Sequence, residues 1–168
     1  MVLRQPTDKP AKILSLLGVA ITGIGTFLGI FFAFHDVYLA VRIVTALLVG
    51  AVGILGFLRH SVWWHSDQVR LGWHQENPQF QFEVGFANLA MAIPALLASF
   101  LSWGILACGM MLLTYGLYML CALGLHIRET LKMRAGAKRP MMRLTTTAIM
   151  IVVLLAFAVM ALNQAGVA

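Results

Sequence analysis

The side chains best suited to chemistry are concentrated between residues 59 and 90 of this 168-residue chain. The segment contains three of the five histidines and three of the four tryptophans. A histidine beside a carboxylate can bind zinc or iron, and it can also move a proton. His60, Glu83 and His126 would lie together if three helix ends met at one depth. These residues are the candidates for a metal site, and haem held between His60 and His126 is a further alternative.

The spacing of the histidines matches no metal-binding motif such as HExxH. Histidines are common at membrane interfaces, and Glu83 can equally form an ion pair with Arg59 or Arg70. We prefer this second interpretation and expect no bound cofactor. The chain also lacks a nucleophile–base pair, a phosphate-binding loop and a dinucleotide fingerprint, so the sequence favours a protein that is not an enzyme.

A second group of polar residues follows Asn77-Pro78, an N-cap and a first-turn proline that predict the start of a helix. On that count Glu83 lies about 8 Å and Asn88 about 16 Å inside the helix. A buried ionisable or amide group costs roughly several kcal/mol unless it has a partner, so each should contact another polar group or a wet cavity. The candidate intramembrane polar site consists of Gln81, Glu83, Asn88 and His60.

Two functions fit this polar site. In the first, Gln81, Glu83 and Asn88 form a network that fixes one helix of a small structural or accessory bundle, which binds a partner subunit or forms a homo-oligomer. In the second, Glu83 and Asn88 line the path of an ion, proton or small-solute carrier, and Pro94 acts as its hinge. We prefer the accessory bundle and keep the carrier as the alternative, with a metal or haem protein that uses His60 and Glu83 as the second alternative.

The composition indicates which elements position these residues. Hydrophobic residues make up 61% of the chain and charged residues 11%, and the mean hydropathy is +0.89. Soluble domains contain roughly half apolar and about a quarter charged residues. A water-soluble surface cannot be built from so few charges. The composition therefore predicts an integral membrane protein of the all-α class.

Five apolar segments are each long enough to cross about 30 Å of hydrocarbon as a helix. The charge-free stretch from Val84 to Ile127 is about twice the length of one span, and the polar sequence from Ser99 to Gly104 divides it. Residues 61–73 are rich in tryptophan and are expected in the headgroup interface. We expect one membrane domain over residues 1–168, a bundle of five transmembrane helices at 13–34, 39–58, 78–100, 104–126 and 143–163.

The basic residues predict the orientation. With five spans, every Lys and Arg except Arg42 falls on the side of the amino terminus, and such residues accumulate in the cytoplasm. The amino terminus is therefore expected inside and the carboxyl terminus outside. The densest basic stretch, from Arg128 to Arg143, is expected to contact anionic lipid headgroups at about 1 kcal/mol per basic residue. The net charge of +6 lies on such flanking loops without interleaved aromatic residues, so no nucleic-acid partner is expected.

The segment with the polar site resembles a known family. Gly72-Trp73, Pro78 and the block FQFEVGFANLA at residues 80–90 are similar to the signature of small bacterial integral membrane proteins that are catalogued as a domain of unknown function. In that family a histidine ends the preceding span, and His60 matches it. Gln79 departs from the pattern because it separates Pro78 from the block. The resemblance implies a protein of the bacterial inner membrane and implies no chemistry; its block residues here are Gln81, Glu83, Gly85 and Asn88.

Overall fold

The structure is a computed structural model that describes residues 7–72, 77–132 and 141–167, and no strand occurs within these three ranges. They form six helices. These are α1 (Lys9–Ala33), α2 (Val37–Val62), α3 (Trp64–Leu71), α4 (Gln79–Phe100), α5 (Ile105–Lys132) and α6 (Met141–Gln164). The all-α class predicted from the composition is confirmed.

Five of the helices, all except α3, are long and apolar enough to cross a membrane. The predicted number of spans is therefore confirmed. Their bounds differ most in α5, which continues to Lys132 instead of ending at residue 126. The helix continues through the polar residues beyond 126 because hydropathy limits the length of the apolar segment and not that of the helix. The assignment of residues 1–168 to one membrane domain stays a prediction.

The helix α2 contains two π-helical segments, Thr45–Ala51 and Leu58–Val62. A π turn bonds each N–H to the carbonyl five residues earlier, which widens the helix and shifts the side chains that follow. The second segment ends where the Trp63 N–H donates to the Leu58 carbonyl at 2.9 Å. This segment carries Arg59 and His60, and His60 is buried although it lies near the end of a span.

The apolar core lies between α2, α4, α5 and α6. Leu48 of α2, Ala95 of α4, Leu112 of α5 and Leu154 of α6 are fully buried in it. In lipid these contacts stabilise through close packing, since the surrounding tails are as apolar as the side chains.

The helix α1 lies at the edge of the bundle, with only 11% of its most apolar window buried. Its contact with α2 depends on Gly25 and Gly29, which are buried against Leu48 and Val44. A side chain at either glycine would overlap α2. A Cβ added to Gly18 would meet no atom within 4 Å, so this glycine is not needed for the contact.

The connection between α4 and α5 confirms the predicted break between residues 99 and 104. The helix α4 ends at Phe100, and the chain reverses through Ser102 and Gly104, whose φ angles are 55° and 97°. Such left-handed conformations end helices because they redirect the backbone. The Trp103 N–H donates to the Ala98 carbonyl at 3.2 Å and closes the turn.

Candidate functional site

The short helix α3 carries the acidic residue at the centre of the site. It ends at Gly72, whose left-handed φ of 68° suits a residue without a Cβ. Ser66, Asp67 and Gln68 form its buried face. The Ser66 hydroxyl accepts a hydrogen bond from the Ala11 N–H of α1 at 3.1 Å. This contact holds α3 against the bundle, beside the π-helical end of α2.

Asp67 is the buried centre of an ionic cluster, which we call the Asp67 cluster and which consists of Arg59, His60, Asp67 and Arg70. The side chain of Asp67 is 0% exposed. Its Oδ1 accepts hydrogen bonds from Arg70 Nε at 3.0 Å and Arg70 Nη2 at 2.9 Å, and Arg59 Nε lies 3.5 Å from the same oxygen. One carboxylate therefore faces two guanidinium groups.

The ring of His60 lies between Asp67 and Arg59. Its Nδ1 is 2.9 Å from Asp67 Oδ2, and its Nε2 is 2.8 Å from Arg59 Nη2. A guanidinium can only donate, so Nε2 must accept, and the ring proton is then on Nδ1 next to the carboxylate. Only one neutral tautomer of His60 suits both neighbours.

The pKa of Asp67 reflects this environment. Burial by itself raises the pKa of the carboxyl group, but the contact with His60 and the charges of Arg59 and Arg70 outweigh it. The net result lowers the pKa from 3.8 to about 2. Asp67 is therefore ionised throughout the physiological range.

A third arginine extends the positive charge of the site. Arg143 of α6 contacts the ring of His126 on α5, with 2.6 Å between Nη2 and Nε2. Arg143 interacts electrostatically with Arg59, Arg70 and Asp67. Glu129, whose side chain is 63% exposed, lies at the rim, 3.8 Å from His126. Two arginines thus pair with a single buried carboxylate, and Arg143 adds a third positive charge within electrostatic range, so the site carries an excess of positive charge.

Outside the Asp67 cluster, three buried side-chain N or O atoms lack a hydrogen-bond partner within the described parts of the chain. They are Ser61 Oγ, Gln81 Nε2 and Gln81 Oε1. An unpaired buried polar group costs roughly 1–3 kcal/mol. Native proteins seldom keep several such groups together without a use for them.

Asn88 anchors a second polar network in the interior of the bundle. Its Nδ2 donates to the Val84 carbonyl at 2.8 Å and to the Tyr118 hydroxyl at 3.1 Å. Its Oδ1 accepts a hydrogen bond from the Tyr115 hydroxyl at 3.0 Å. Tyr115 is 2% exposed. The amide of Asn88 therefore joins α4 to α5 and has its donors and acceptor occupied.

The Asn88 network is expected to contribute measurably to stability. Asn88→Leu and Tyr115→Phe should each lower the free energy of unfolding by about 1 kcal/mol, the typical size of an interhelical hydrogen bond in membrane proteins. The double variant should lose less than the sum, because both changes remove the same bond. Unfolding in mixed detergent micelles measures all three. Tyr38→Phe, at an exposed tyrosine, is the control. Strict additivity of the two changes would contradict this role.

The structure separates the residues that the sequence analysis grouped together. Gln81 and Asn88 are buried, whereas Glu83 is exposed on another face of α4 and contacts no described polar group. The metal site of His60, Glu83 and His126 is therefore not assembled, and no group of three metal-binding side chains occurs within the described ranges. The expected partner of Arg59 and Arg70 was Glu83, but the structure places Asp67 there, because α3 folds back against α2.

Asp67, Tyr115 and Tyr118 are site residues that the sequence pattern does not predict. One signal for Asp67 was available, since Asp67 and Arg70 are three residues apart and so share a helix face. The tyrosines lie within an apolar span, where a hydroxyl group needs a partner. Half of the basic stretch from Arg128 to Arg143, residues 133–140, lies outside the described residues, and its last member, Arg143, belongs to the site.

Comparison with known proteins gives a family without an activity. The model of a family described as "Family of unknown function (DUF6790)" matches residues 12–166. No curated protein and no solved structure matches the chain. The expected membership of a domain-of-unknown-function family is thereby confirmed. The matched range includes both the Asp67 cluster and the Asn88 network.

Proposed function

The chain belongs to the DUF6790 family, whose description names no activity, and we propose from the geometry of the site that it is a membrane-embedded binding protein for an anionic ligand. It acts as an accessory module and not as an enzyme. The ligand lies against the Asp67 cluster and Arg143. A phosphate group is the anion best suited to this set of residues.

The observation that carries this proposal is the charge imbalance of the site. Arg59 and Arg70 both pair with Asp67, and Arg143 adds a third positive charge within electrostatic reach. The side chains of Arg59 and Arg70 are only 24% and 19% exposed, so their charge is partly desolvated and an anion would pair with the excess. Arginine presents a planar fork of N–H donors that matches phosphate oxygens.

We also propose that the protein is a multi-pass protein of the bacterial inner membrane and that the site faces the cytoplasm. The support is the location of the cluster, which lies beside the start of α1 and close to the ends of α5 and α6 that adjoin the basic stretch from Arg128 to Arg143. The anionic headgroups of the inner leaflet lie at this level. Tags at the two termini, read out in whole cells, are expected on opposite sides of the membrane. Finding both on one side would contradict the orientation.

The two alternative functions have less support. A carrier that uses Glu83 and Asn88 needs both residues along one path, but Glu83 is exposed and the amide of Asn88 is occupied by tyrosine hydroxyls. A metal site that uses His60 and Glu83 has less support because Glu83 is exposed on another face of α4, whereas His60 contacts Asp67.

Phosphate is expected to stabilise the purified protein against thermal unfolding. A ligand that binds only the folded state stabilises it by about 2.7 kcal/mol at 100 times its Kd. The melting temperature in detergent should therefore rise with phosphate concentration when chloride keeps the ionic strength constant. Arg143→Gln should remove most of this rise. Arg128→Gln, at an exposed position near the same helix end, should retain it. No rise in the wild-type protein, or an equal rise in both variants, would contradict the proposal.

A further inference from the structure

Two residues at the contact of α4 with α2 carry neutral polar atoms that a bare phosphate would not use. Gln81 is 1% exposed, and both atoms of its side-chain amide lack a partner within the described ranges. The buried Ser61 Oγ likewise has no such partner. Ser61 directly follows His60 of the Asp67 cluster. The neutral atoms and the cationic cluster are therefore parts of one region.

The packing of α4 against α2 brings Gln81 and Ser61 to the same place. Gly85 lies one turn after Gln81 on the same face of α4, and a Cβ added to Gly85 would overlap Ser61 Oγ. The backbone of α4 is therefore in close contact with the π-helical end of α2. Ser61 lies at this contact and Gln81 lies one helical turn before it, near the tryptophan-rich segment expected at the headgroup level.

The chemistry of these side chains indicates what they would bind. A glutamine amide offers both donors and an acceptor, and a serine hydroxyl does the same. A ligand hydroxyl group, which also donates and accepts, is the natural complement of this pair. A carboxylate or a second phosphate would satisfy the donors but would leave the amide oxygen of Gln81 without a partner.

We propose that the ligand is the phosphate ester of a polyol, an inference that rests on the function proposed above. Its phosphate lies against Arg59, Arg70 and Arg143, and a hydroxyl group of the polyol binds Ser61 and Gln81. A glycerol phosphate is the smallest ligand of this kind. It occurs both as a soluble molecule and as the headgroup of an anionic phospholipid.

The test compares inorganic phosphate with glycerol 3-phosphate, on protein in nanodiscs of zwitterionic lipid, by equilibrium titration. The wild-type protein should bind glycerol 3-phosphate about tenfold more tightly, which corresponds to one or two additional hydrogen bonds. Gln81→Met should abolish this preference and leave the affinity for inorganic phosphate within about twofold. The variant should fold, because it removes two unpaired buried atoms. Gln79→Met, at an exposed glutamine on the same helix, should retain the preference.

The outcomes distinguish this inference from the function on which it rests. If neither ligand binds, the anion-binding function itself fails. If both bind equally and Gln81→Met changes nothing, anion binding stands and the polyol inference is overturned. A further titration uses nanodiscs that contain phosphatidylglycerol. If glycerol 3-phosphate does not bind in these nanodiscs but binds again when phosphatidic acid replaces phosphatidylglycerol, the lipid headgroup is the ligand. Unchanged binding identifies the soluble ester.

Discussion

Replacement of Asp67 by asparagine is expected to lower the free energy of unfolding by about 3–5 kcal/mol, the range found when one partner of a buried ion pair is removed. Asparagine keeps the shape of the side chain but leaves Arg59 and Arg70 without their carboxylate. Chemical unfolding in detergent measures the loss. Glu83→Gln neutralises an exposed carboxylate and should change the stability by no more than about 0.5 kcal/mol.

The stability of Asp67→Asn should also depend on pH differently from that of the wild-type protein. The pKa of Asp67 is lowered from 3.8 to about 2, so its contribution to stability is fully present above the unfolded value. That contribution is lost as the pH falls through about 4 towards about 2, since the unfolded chain then binds the proton more tightly than the folded protein. The wild-type protein should lose this contribution over that window, and Asp67→Asn should not. Equal stability of Asp67→Asn and the wild type at pH 7 would show that the cluster does not stabilise the fold.

Replacement of Gly85 by alanine is expected to lower the free energy of unfolding by about 2 kcal/mol, within the range for inserting a methyl group into a packed interior. The new Cβ would overlap Ser61 Oγ and would also approach the Ser61 backbone N at 3.3 Å. Rotation of the serine side chain alone cannot relieve the second contact. The helices α2 and α4 must therefore separate.

Two further variants test the cause of this loss. Gly18→Ala adds the same methyl group to a helix position with no atom within 4 Å, and it should be neutral or slightly stabilising. Ser61→Ala combined with Gly85→Ala should recover part of the stability, because it removes the overlapping oxygen. The explanation is wrong if Gly85→Ala is as stable as Gly18→Ala.

The helices of this protein could be predicted from the sequence because lipid demands long apolar segments with few charges. The turn after Phe100 was also predictable, since no single span can include so long an apolar stretch. The helix α3 was expected only as an interfacial segment. Its apolar residues do not recur at the spacing of a helix. Its position depends on contacts with α1 and α2 between residues that are far apart in the sequence.

The sequence indicated which helix carries the polar residues, but it did not indicate which of them share a face of that helix. Gln81 and Asn88 are seven residues apart and share a face of α4, whereas Glu83 and Asn88 differ by about 140° around the helix axis. Hydropathy gives the depth of a residue, but only packing decides which face is buried. Asp67 could not be recognised as the partner of Arg59 and Arg70, because its burial follows from the folding of α3 against α2.

The most direct measurement of the central claim is the position of a bound phosphate-like anion. Tungstate resembles phosphate in charge and shape, and tungsten gives a strong anomalous signal in a crystal of the purified protein. The account predicts a tungsten peak in contact with Arg59 and Arg143, beside the buried carboxylate of Asp67. Peaks confined to exposed basic residues, with none at the Asp67 cluster, would contradict it.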